Sequence, residues 1–317
     1  MASSNSGNRL KRLLAFTAAA TAMAAAAGTA AAAEGRGTAG AEKTRATEEA
    51  RYRTASPGQA DRRRAAAPGA VATPTFSMTA VDKKTSNLYL YFPNGRGGFE
   101  ARYDVGVDYS FAAAVVHVDN DEDGYGDGTW NLHKDGKLSY VWSDGSGAHV
   151  KDVGRGWTIY TDVLSPGDLG GTRDADLMAV DEAGVLWTYV GHASGLVDTR
   201  VRVGKGWDAY TEIAGQGDLS GDGGDDIVAR DRTGVLWLYK GTGNNKAPFE
   251  ARTRIGAGWN TYDRLLSVGD LDADGRSDLV ARSAAGDLFR YSGTGRAAAP
   301  FTKPVKIGTG YGIYNLL

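Results

Sequence analysis

The sequence predicts an all-β protein, a β-propeller of four-stranded antiparallel blades, and three observations support this. A Gly-aromatic pair recurs at intervals of 50, 52 and 52 residues. An Asp lies 11 residues after the aromatic residue of each of the first three pairs. Short runs of Val, Leu, Tyr and Trp, separated by Gly, fill the intervals, and a unit of this length has the size of one blade. The pairs are Gly156-Trp157, Gly206-Trp207, Gly258-Trp259 and Gly310-Tyr311.

The residues before the repeats divide into two segments. Arg9, Lys11 and Arg12 precede an apolar, Ala-rich stretch, so residues 1–33 are predicted to be a signal peptide cleaved after Ala33. A membrane anchor is the alternative, since about 20 apolar residues span a bilayer. Residues 34–74 contain almost no apolar side chains and are predicted to be a disordered linker. We therefore expect a secreted, extracellular protein without a stable membrane span after processing.

Counting strands in residues 75–317 gives five blades. One full unit has a first strand at 262–269, an acidic loop, and strands at 279–282, 287–291 and 301–307. Similar units begin at Ile159 and Tyr210, and a divergent one at about Phe111. Residues 75–105 supply only the last three strands of a unit, and residues 311–317 supply only a first strand. We predict that both ends pair in one sheet and close the ring, which hides its edges. An open array completed by another chain is the alternative, and closure predicts a monomer.

Composition narrows the function. From residue 75 onward, 33 Asp and Glu face 25 Lys and Arg, and this net charge of −8 argues against a nucleic-acid partner. The sequence has no Cys, which excludes disulfides, thiolate metal sites and a Cys nucleophile. Stability must therefore come from sheet packing or from bound metal.

Two acidic loops have the spacing of a calcium site. Carboxylates stand at positions 1, 3, 5 and 9 with Gly at position 6, and the position 7 carbonyl adds an oxygen. Calcium takes six to eight such oxygen ligands. Four carboxylates this close also repel one another unless a cation lies among them. The predicted ligands are Asp119, Asp121, Asp123, Tyr125 and Asp127 in one loop, and Asp270, Asp272, Asp274, Arg276 and Asp278 in the other.

Two further loops keep part of this pattern. The third has Asp218, Ser220, Asp222, Gly224 and Asp226, where a hydroxyl replaces the carboxylate at position 3, and we expect weaker binding. The fourth keeps only Asp168 and Asp176, and Arg173 is expected near the ion position, which disfavours binding there. We predict two to three structural Ca²⁺ ions on one rim of the ring. The alternative for every loop is a plain turn, which Asp and Gly also favour.

These loops resemble the FG-GAP, or VCBS, repeats of integrin α-subunit propellers and many secreted bacterial proteins. The segments that carry the resemblance are residues 269–280, GDLDADGRSDLV, and residues 217–228, GDLSGDGGDDIV. It extends over residues 75–317, and it implies calcium at the positions given above, with departures at Gly170, Thr172 and Ser220. A second segment, residues 254–260 with residues 286–291, is similar to tachylectin-type five-bladed lectins. That similarity implies sugar pockets repeated in each blade.

The repeated aromatic residues allow two interpretations. Trp157, Trp207, Trp259 and Tyr311 either wedge between blades or form platforms on which a sugar ring stacks. A second repeated aromatic position lies within a strand and is typical of residues of the hydrophobic core. Its members are Trp187, Trp237 and Phe289.

Catalytic motifs are absent from the sequence. The four histidines match no metal or triad spacing, and no nucleophile elbow, Walker loop or dinucleotide fingerprint occurs. We therefore expect a non-enzymatic binding module for a carbohydrate or cell-surface ligand. The alternative is a secreted polysaccharide- or peptidoglycan-directed hydrolase or lyase using His117, His133 and Asp135.

Overall fold

The computed structural model describes residues 72–143 and 148–317, which form five four-stranded antiparallel sheets. The predicted signal peptide and most of the predicted linker lie outside the described residues. Blade 1 contains β1 Met78–Asp82, β2 Asn87–Tyr91, β3 Tyr103–Asp108 and β20 Tyr314–Leu316. Blade 2 contains β4 Ala112–Val118, β5 Gly128–His133, β6 Leu138–Ser143 and β7 Ala148–Gly154. The predicted all-β propeller of five blades is confirmed.

The other three blades follow the same order along the chain. Blade 3 contains β8 Tyr160–Gly167, β9 Asp176–Asp181, β10 Val185–Tyr189 and β11 Val201–Lys205. Blade 4 contains β12 Tyr210–Ala214, β13 Ile227–Asp231, β14 Leu236–Tyr239 and β15 Thr253–Gly256. Blade 5 contains β16 Tyr262–Gly269, β17 Asp278–Ser283, β18 Leu288–Tyr291 and β19 Val305–Gly308. The fourth strands begin later than predicted, because Phe99 and Phe301 form isolated bridges to Pro93 and Gly293 instead of continuing a ladder.

Apolar packing between neighbouring blades holds the ring together. Each of the five buried clusters joins side chains from two successive blades, and one of them joins blade 5 to blade 1. The first strands β4, β8, β12 and β16 contact one another in sequence, which places them innermost. Burying both faces of each sheet in this way is what a single blade cannot do by itself.

Blade 1 closes the ring by pairing the two ends of the described chain. Strand β20 is antiparallel to β1, with Leu316 opposite Ala80 and Tyr314 opposite Asp82. Tyr314 and Leu316 are buried in the cluster that joins blades 5 and 1. The pairing is the one the incomplete repeats predict, and it leaves β1 with a partner on both sides.

The Gly-aromatic pairs form the entry into each first strand. Gly156, Gly206 and Gly258 have φ of 88°, 100° and 92°, a left-handed conformation that glycine adopts without steric cost. The Trp that follows opens a single 3-10 turn, and its amide donates to a turn carbonyl of the preceding blade. The pair therefore fixes the step from one blade to the next.

The part of the chain before β1 takes the place of a missing acidic loop. Thr75 forms bridges with both Tyr125 and Gly269, and the Asp270 amide donates to the Pro74 carbonyl at 2.8 Å. The Thr73 hydroxyl donates to the Gly275 carbonyl at 2.7 Å. Residues 72–74, which the sequence assigns to the linker, thus lie against the two loops with complete carboxylate patterns. These three residues have no large apolar side chains, which is why the sequence groups them with the linker. Only their contacts with the rim separate them from it.

No helix among residues 72–143 and 148–317 is long and apolar enough to cross a membrane.

Candidate metal centres and ligand grooves

Three of the four acidic loops bring carboxylates together. We name the loops by their first residue: the Asp119 loop (119–127), the Asp168 loop (168–176), the Asp218 loop (218–226) and the Asp270 loop (270–278). Each joins the first strand of a blade to the second. In three of them, three carboxylate oxygens lie within 4.8 Å of one another. These triads are Asp119, Asp121 and Asp127; Asp218, Asp222 and Asp226; and Asp270, Asp272 and Asp278.

Position 9 anchors each loop to the sheet. Asp278 opens β17 and is fully buried. Its Oδ2 accepts from the Leu271 amide at 3.2 Å, and its Oδ1 accepts from the Gly293 amide at 2.8 Å. Asp226 and Asp176 accept the corresponding bonds in blades 4 and 3. This carboxylate therefore shapes the loop as well as facing the triad.

Burial and crowding make the triads costly when all their carboxyls are ionised. Burial, together with the neighbouring carboxylates of its loop, raises the pKa of Asp119 to about 8. Burial likewise raises the pKa of Asp278 to about 7 and that of Asp226 to about 6. Oδ1 of Asp119 and Oδ1 of Asp272 are buried without a hydrogen-bond partner among the described residues. Since buried polar atoms are normally satisfied, the residues present fit a divalent cation.

Several of the other predicted ligands lie outside the three carboxylate triads. The triads of the Asp119 and Asp270 loops do not include the position 5 residues, Asp123 and Asp274. Asp274 is instead paired with Arg276 at 3.1 Å. Ser220, at position 3 of its loop, donates to Asp218 at 3.4 Å, and Asp222 takes the third place in that triad. The roles of Ser220 and of the Tyr125, Gly224 and Arg276 carbonyls stay predictions.

Backbone hydrogen bonds to Asp168 hold the Asp168 loop in its turn. The Asp168 carboxylate accepts four backbone amides, those of residues 170–173, at 2.6–3.2 Å. Arg173, expected near the ion position, instead extends to Glu122 of the Asp119 loop, at 2.6 Å. No third carboxylate joins Asp168 and Asp176 in the described structure. In this loop, backbone amides thus occupy the Asp168 carboxylate. In the other three loops, three carboxylates lie close together.

Contacts between blades link the loops around the rim, and the sequence gives no indication of them. The amide of Ala175 donates to Asn120 Oδ1 at 3.0 Å, and the amide of Asp168 donates to Asp225 Oδ2 at 2.6 Å. Burial raises the pKa of Asp225 to about 7. The Asp168 loop is therefore joined to the Asp119 loop on one side and to the Asp218 loop on the other.

The repeated Trp residues of the Gly-aromatic pairs lie inside the interfaces between blades. Trp157, Trp207 and Trp259 are 6–9% exposed. Trp157 stacks on Tyr189 with ring centroids 4.7 Å apart, and Tyr239 and Tyr291 cover the other two. This burial favours the wedge interpretation, since a sugar platform needs an open ring face. Tyr311 is half-buried against Tyr91 and Tyr314.

A second set of aromatic residues carries stacked arginines, which the sequence did not indicate. Arg200 lies over the ring of Trp187 at 4.2 Å, and Arg252 lies over Trp237 at 4.1 Å. Arg102 lies over Tyr89 at 4.6 Å in blade 1. We call these three pairs the Arg–aromatic stacks. A short sequence pattern marks these arginines. Each is the last residue of a four-residue segment, FEAR at 99–102 and 249–252 and VDTR at 197–200.

The residues proposed for an enzyme are not brought together. His117 lies 3.2 Å from the Thr79 hydroxyl and stacks on Phe76, and burial lowers its pKa to about 4. His133 bonds Ser139 at the other end of the β4–β5 ladder. Asp135 is exposed and accepts the Lys137 amide. In the described structure these three side chains do not form one site.

This geometry defines a closed five-bladed propeller. Asp-rich loops join the first and second strands of its blades. Residues 218–281, from the Asp218 loop of blade 4 to β17 of blade 5, match the family model of the FG-GAP-like repeat. No curated protein sequence matches the chain significantly.

Several solved structures are similar to this chain at low sequence identity. The BP39L lectin from Burkholderia pseudomallei is 12% identical with a TM-score of 0.45, covering 74% of this chain and 71% of the lectin. AofleA from Arthrobotrys oligospora is 12% identical with a TM-score of 0.42, covering 77% and 75%. Regucalcin from Agrobacterium tumefaciens, described as calcium-binding, is 11% identical with a TM-score of 0.37, covering 75% of each chain. These low identities carry no conclusion about a ligand.

Replacing the position 9 carboxylate is expected to destabilise the fold without any metal present. Asp278→Ala leaves the buried Leu271 and Gly293 amides unpaired, which costs at least about 2 kcal/mol of unfolding free energy. Urea unfolding in chelator measures this cost. The control is Asp104→Ala, which removes one exposed bond to the Gly106 amide and should cost about 0.5 kcal/mol or less. Equal stability of the two variants would contradict an anchoring role.

Proposed function

We propose that this chain is a secreted, calcium-binding, non-enzymatic repeat protein that acts as a binding module for a carbohydrate or cell-surface polymer. The observation that carries the proposal is the set of three carboxylate triads, each within 4.8 Å, at equivalent places on one rim. Repetition of a site around a ring serves binding by several weak contacts at once, because linked sites raise avidity.

The calcium part of the proposal rests on the chemistry of the triads. Calcium prefers carboxylate and carbonyl oxygens in flexible loops, whereas magnesium keeps most of its water. The two triads with carboxylates at positions 1, 3 and 9 also contain a buried oxygen without a partner, on Asp119 and Asp272. Bound calcium would cancel the repulsion within each triad and fix the loop against its blade. We therefore propose two to three structural ions.

The proposed role in ligand binding is based on the closed ring of repeated blades. Its edges are paired internally through β1 and β20, which supports a monomer that presents similar side chains several times. The Arg–aromatic stacks repeat an aromatic ring beside a polar side chain, the combination that binds sugars through stacking and hydrogen bonds. Repeated equal sites also argue against chemistry at one unique locus.

A glycan array probed with the full-length chain tests the proposal. In millimolar calcium we expect binding to at least one class of surface polysaccharide, and in chelator we expect binding to fall at least about tenfold as the loops loosen. The control is Asp174→Asn, in the loop without a triad, which should retain full binding. Absence of binding to every glycan, with the protein folded, would reject the carbohydrate assignment.

A further inference from the structure

The Arg–aromatic stacks hold three guanidinium groups in one fixed pose. Nη1 of Arg200 donates to the Tyr160 hydroxyl at 3.0 Å, and Nη1 of Arg102 donates to the Tyr314 hydroxyl at 2.7 Å. Arg252 repeats this bond to Tyr210 at 2.5 Å. The ring beneath each guanidinium fixes its plane, and the tyrosine fixes its rotation. Such a side chain loses little conformational entropy when it binds a ligand.

The tyrosine that each arginine contacts is itself tied into the blade. The Tyr160 hydroxyl lies 2.5 Å from that of Tyr189, and the Tyr210 hydroxyl lies 2.5 Å from that of Tyr239. In blade 1, the Tyr314 and Tyr91 hydroxyls lie 3.3 Å apart. The same pair of hydroxyls supports the guanidinium at all three stacks. The pose is therefore a property of the repeat and not of one chance contact.

One edge of each guanidinium is left for a ligand. Arg102, Arg200 and Arg252 each donate through Nη1 to a tyrosine hydroxyl, Arg200 and Arg252 also interact with Tyr189 and Tyr239, and all three side chains are exposed. The Nε–H and Nη2–H groups of a guanidinium lie in its plane and point in parallel from the edge away from Nη1. Their spacing matches the two oxygens of a carboxylate, which accepts them as a bidentate pair.

From this geometry we infer that the three Arg–aromatic stacks bind the carboxylate of acidic sugar residues, such as uronic acids in a polysaccharide. The inference rests on the proposed function and names its ligand class. The half-buried ring of Trp187 or Trp237 beside the fork offers an apolar edge for the C–H face of the sugar. Three copies around one ring suit a polymer with a repeating charge.

Blade 5 shows what a blade looks like without this site. Phe289 stands where Trp187 and Trp237 stand in their blades, and Pro304 takes the place of the arginine. Tyr262 and Tyr291 still form their hydroxyl pair at 2.8 Å. The tyrosine pair alone therefore serves packing, and the arginine with its aromatic partner is the added feature.

The net charge of −8 in residues 75–317 opposes binding of a polyanion, and this sets the expected conditions. The carboxylates concentrate in the acidic loops, where bound calcium would neutralise much of the charge. Binding of an acidic polymer should therefore be weak for one sugar unit, stronger for a chain, and stronger in calcium than in chelator. It should also weaken as salt screens the ion pairs.

The test uses the full-length chain in calcium with a glucuronic-acid trisaccharide and its carboxyl-reduced form. Native mass spectrometry should count up to three trisaccharides on the wild-type chain and one on R200K/R252K, which retains Arg102. Lysine keeps the charge but lacks the planar fork, so we expect affinity at each altered site to fall about tenfold. The matched control is R202K/R254K, which changes exposed arginines two residues further along the chain, on β11 and β15, and should bind like wild type.

Three results would overturn the inference. The first is equal binding by R200K/R252K and wild type, when melting curves show both folded. The second is equal binding of the carboxyl-reduced sugar, which would leave the proposed carbohydrate function intact and remove the carboxylate. The third is binding of a hexa-aspartate peptide at these arginines without binding of the trisaccharide, which would make the ligand an acidic peptide.

Discussion

Calcium is expected to raise the melting temperature of the full-length chain, and chelator is expected to reverse the change. An ion that binds only the native state stabilises it by about 4 kcal/mol per site at a thousandfold excess over its Kd. Magnesium at the same concentration should have a smaller effect, because it resists replacing its water by protein ligands. Differential scanning calorimetry across a calcium titration measures the increment.

Variants of exposed triad residues separate the ions from the fold. Asp121→Asn and Asp222→Asn each remove one exposed carboxylate from a triad, so each should lower the calcium increment while changing stability in chelator little. Asp174→Asn, in the loop without a triad, should keep the whole increment. In D121N/D222N only the Asp270 triad stays intact, so an increment as large as that of the wild-type chain would mean that the ions bind elsewhere.

The same titration has a defined pH dependence. Burial raises the pKa values of Asp119, Asp278 and Asp226 to about 8, 7 and 6, so the native state binds protons that the unfolded chain releases near the ordinary Asp pKa of 3.8. Stability in chelator should therefore fall as pH rises from about 5 to 8. Calcium needs the ionised carboxylates, so its increment should grow over the same range. Parallel pH profiles with and without calcium would contradict metal binding at these groups.

Removal of residues 311–317 is expected to abolish the cooperative fold. The truncation deletes β20, leaves one side of β1 unpaired, and removes the buried Tyr314 and Leu316 side chains. Each buried side chain of this size contributes about 2–5 kcal/mol, which together approaches the whole stability of a typical domain. An exposed strand edge also invites aggregation. Size-exclusion chromatography and thermal melting should show aggregates and a broad transition.

Two controls make this result specific to ring closure. Asn315→Ala changes the exposed residue of the same strand and should leave the melting curve unchanged. A synthetic peptide of residues 311–317 added in trans should restore cooperative melting, because it supplies the missing strand. A truncated chain that melts like the intact one would show that closure by β20 contributes little.

The repeat pattern predicted the fold because the residues that define it act on neighbours in the sequence. Gly156 and its equivalents need a left-handed backbone, and the Asp at positions 1 and 9 of each loop meets amides within the same few residues. The surplus first strand and the missing first strand identified the closing sheet for the same reason. The triads of three loops also follow from spacing, since a tight turn brings positions 1, 3 or 5, and 9 together.

What the sequence did not reveal depends on contacts between distant residues. Nothing local indicates that Arg173 pairs with Glu122, that residues 72–75 fill the gap on the rim, or that Arg200 lies over Trp187. The sequence alone determined a ring of five sheets with acidic loops, because periodic residues dictate turns and strands. The tertiary structure decided which side chains meet across blades, because those contacts depend on how twisted sheets pack together.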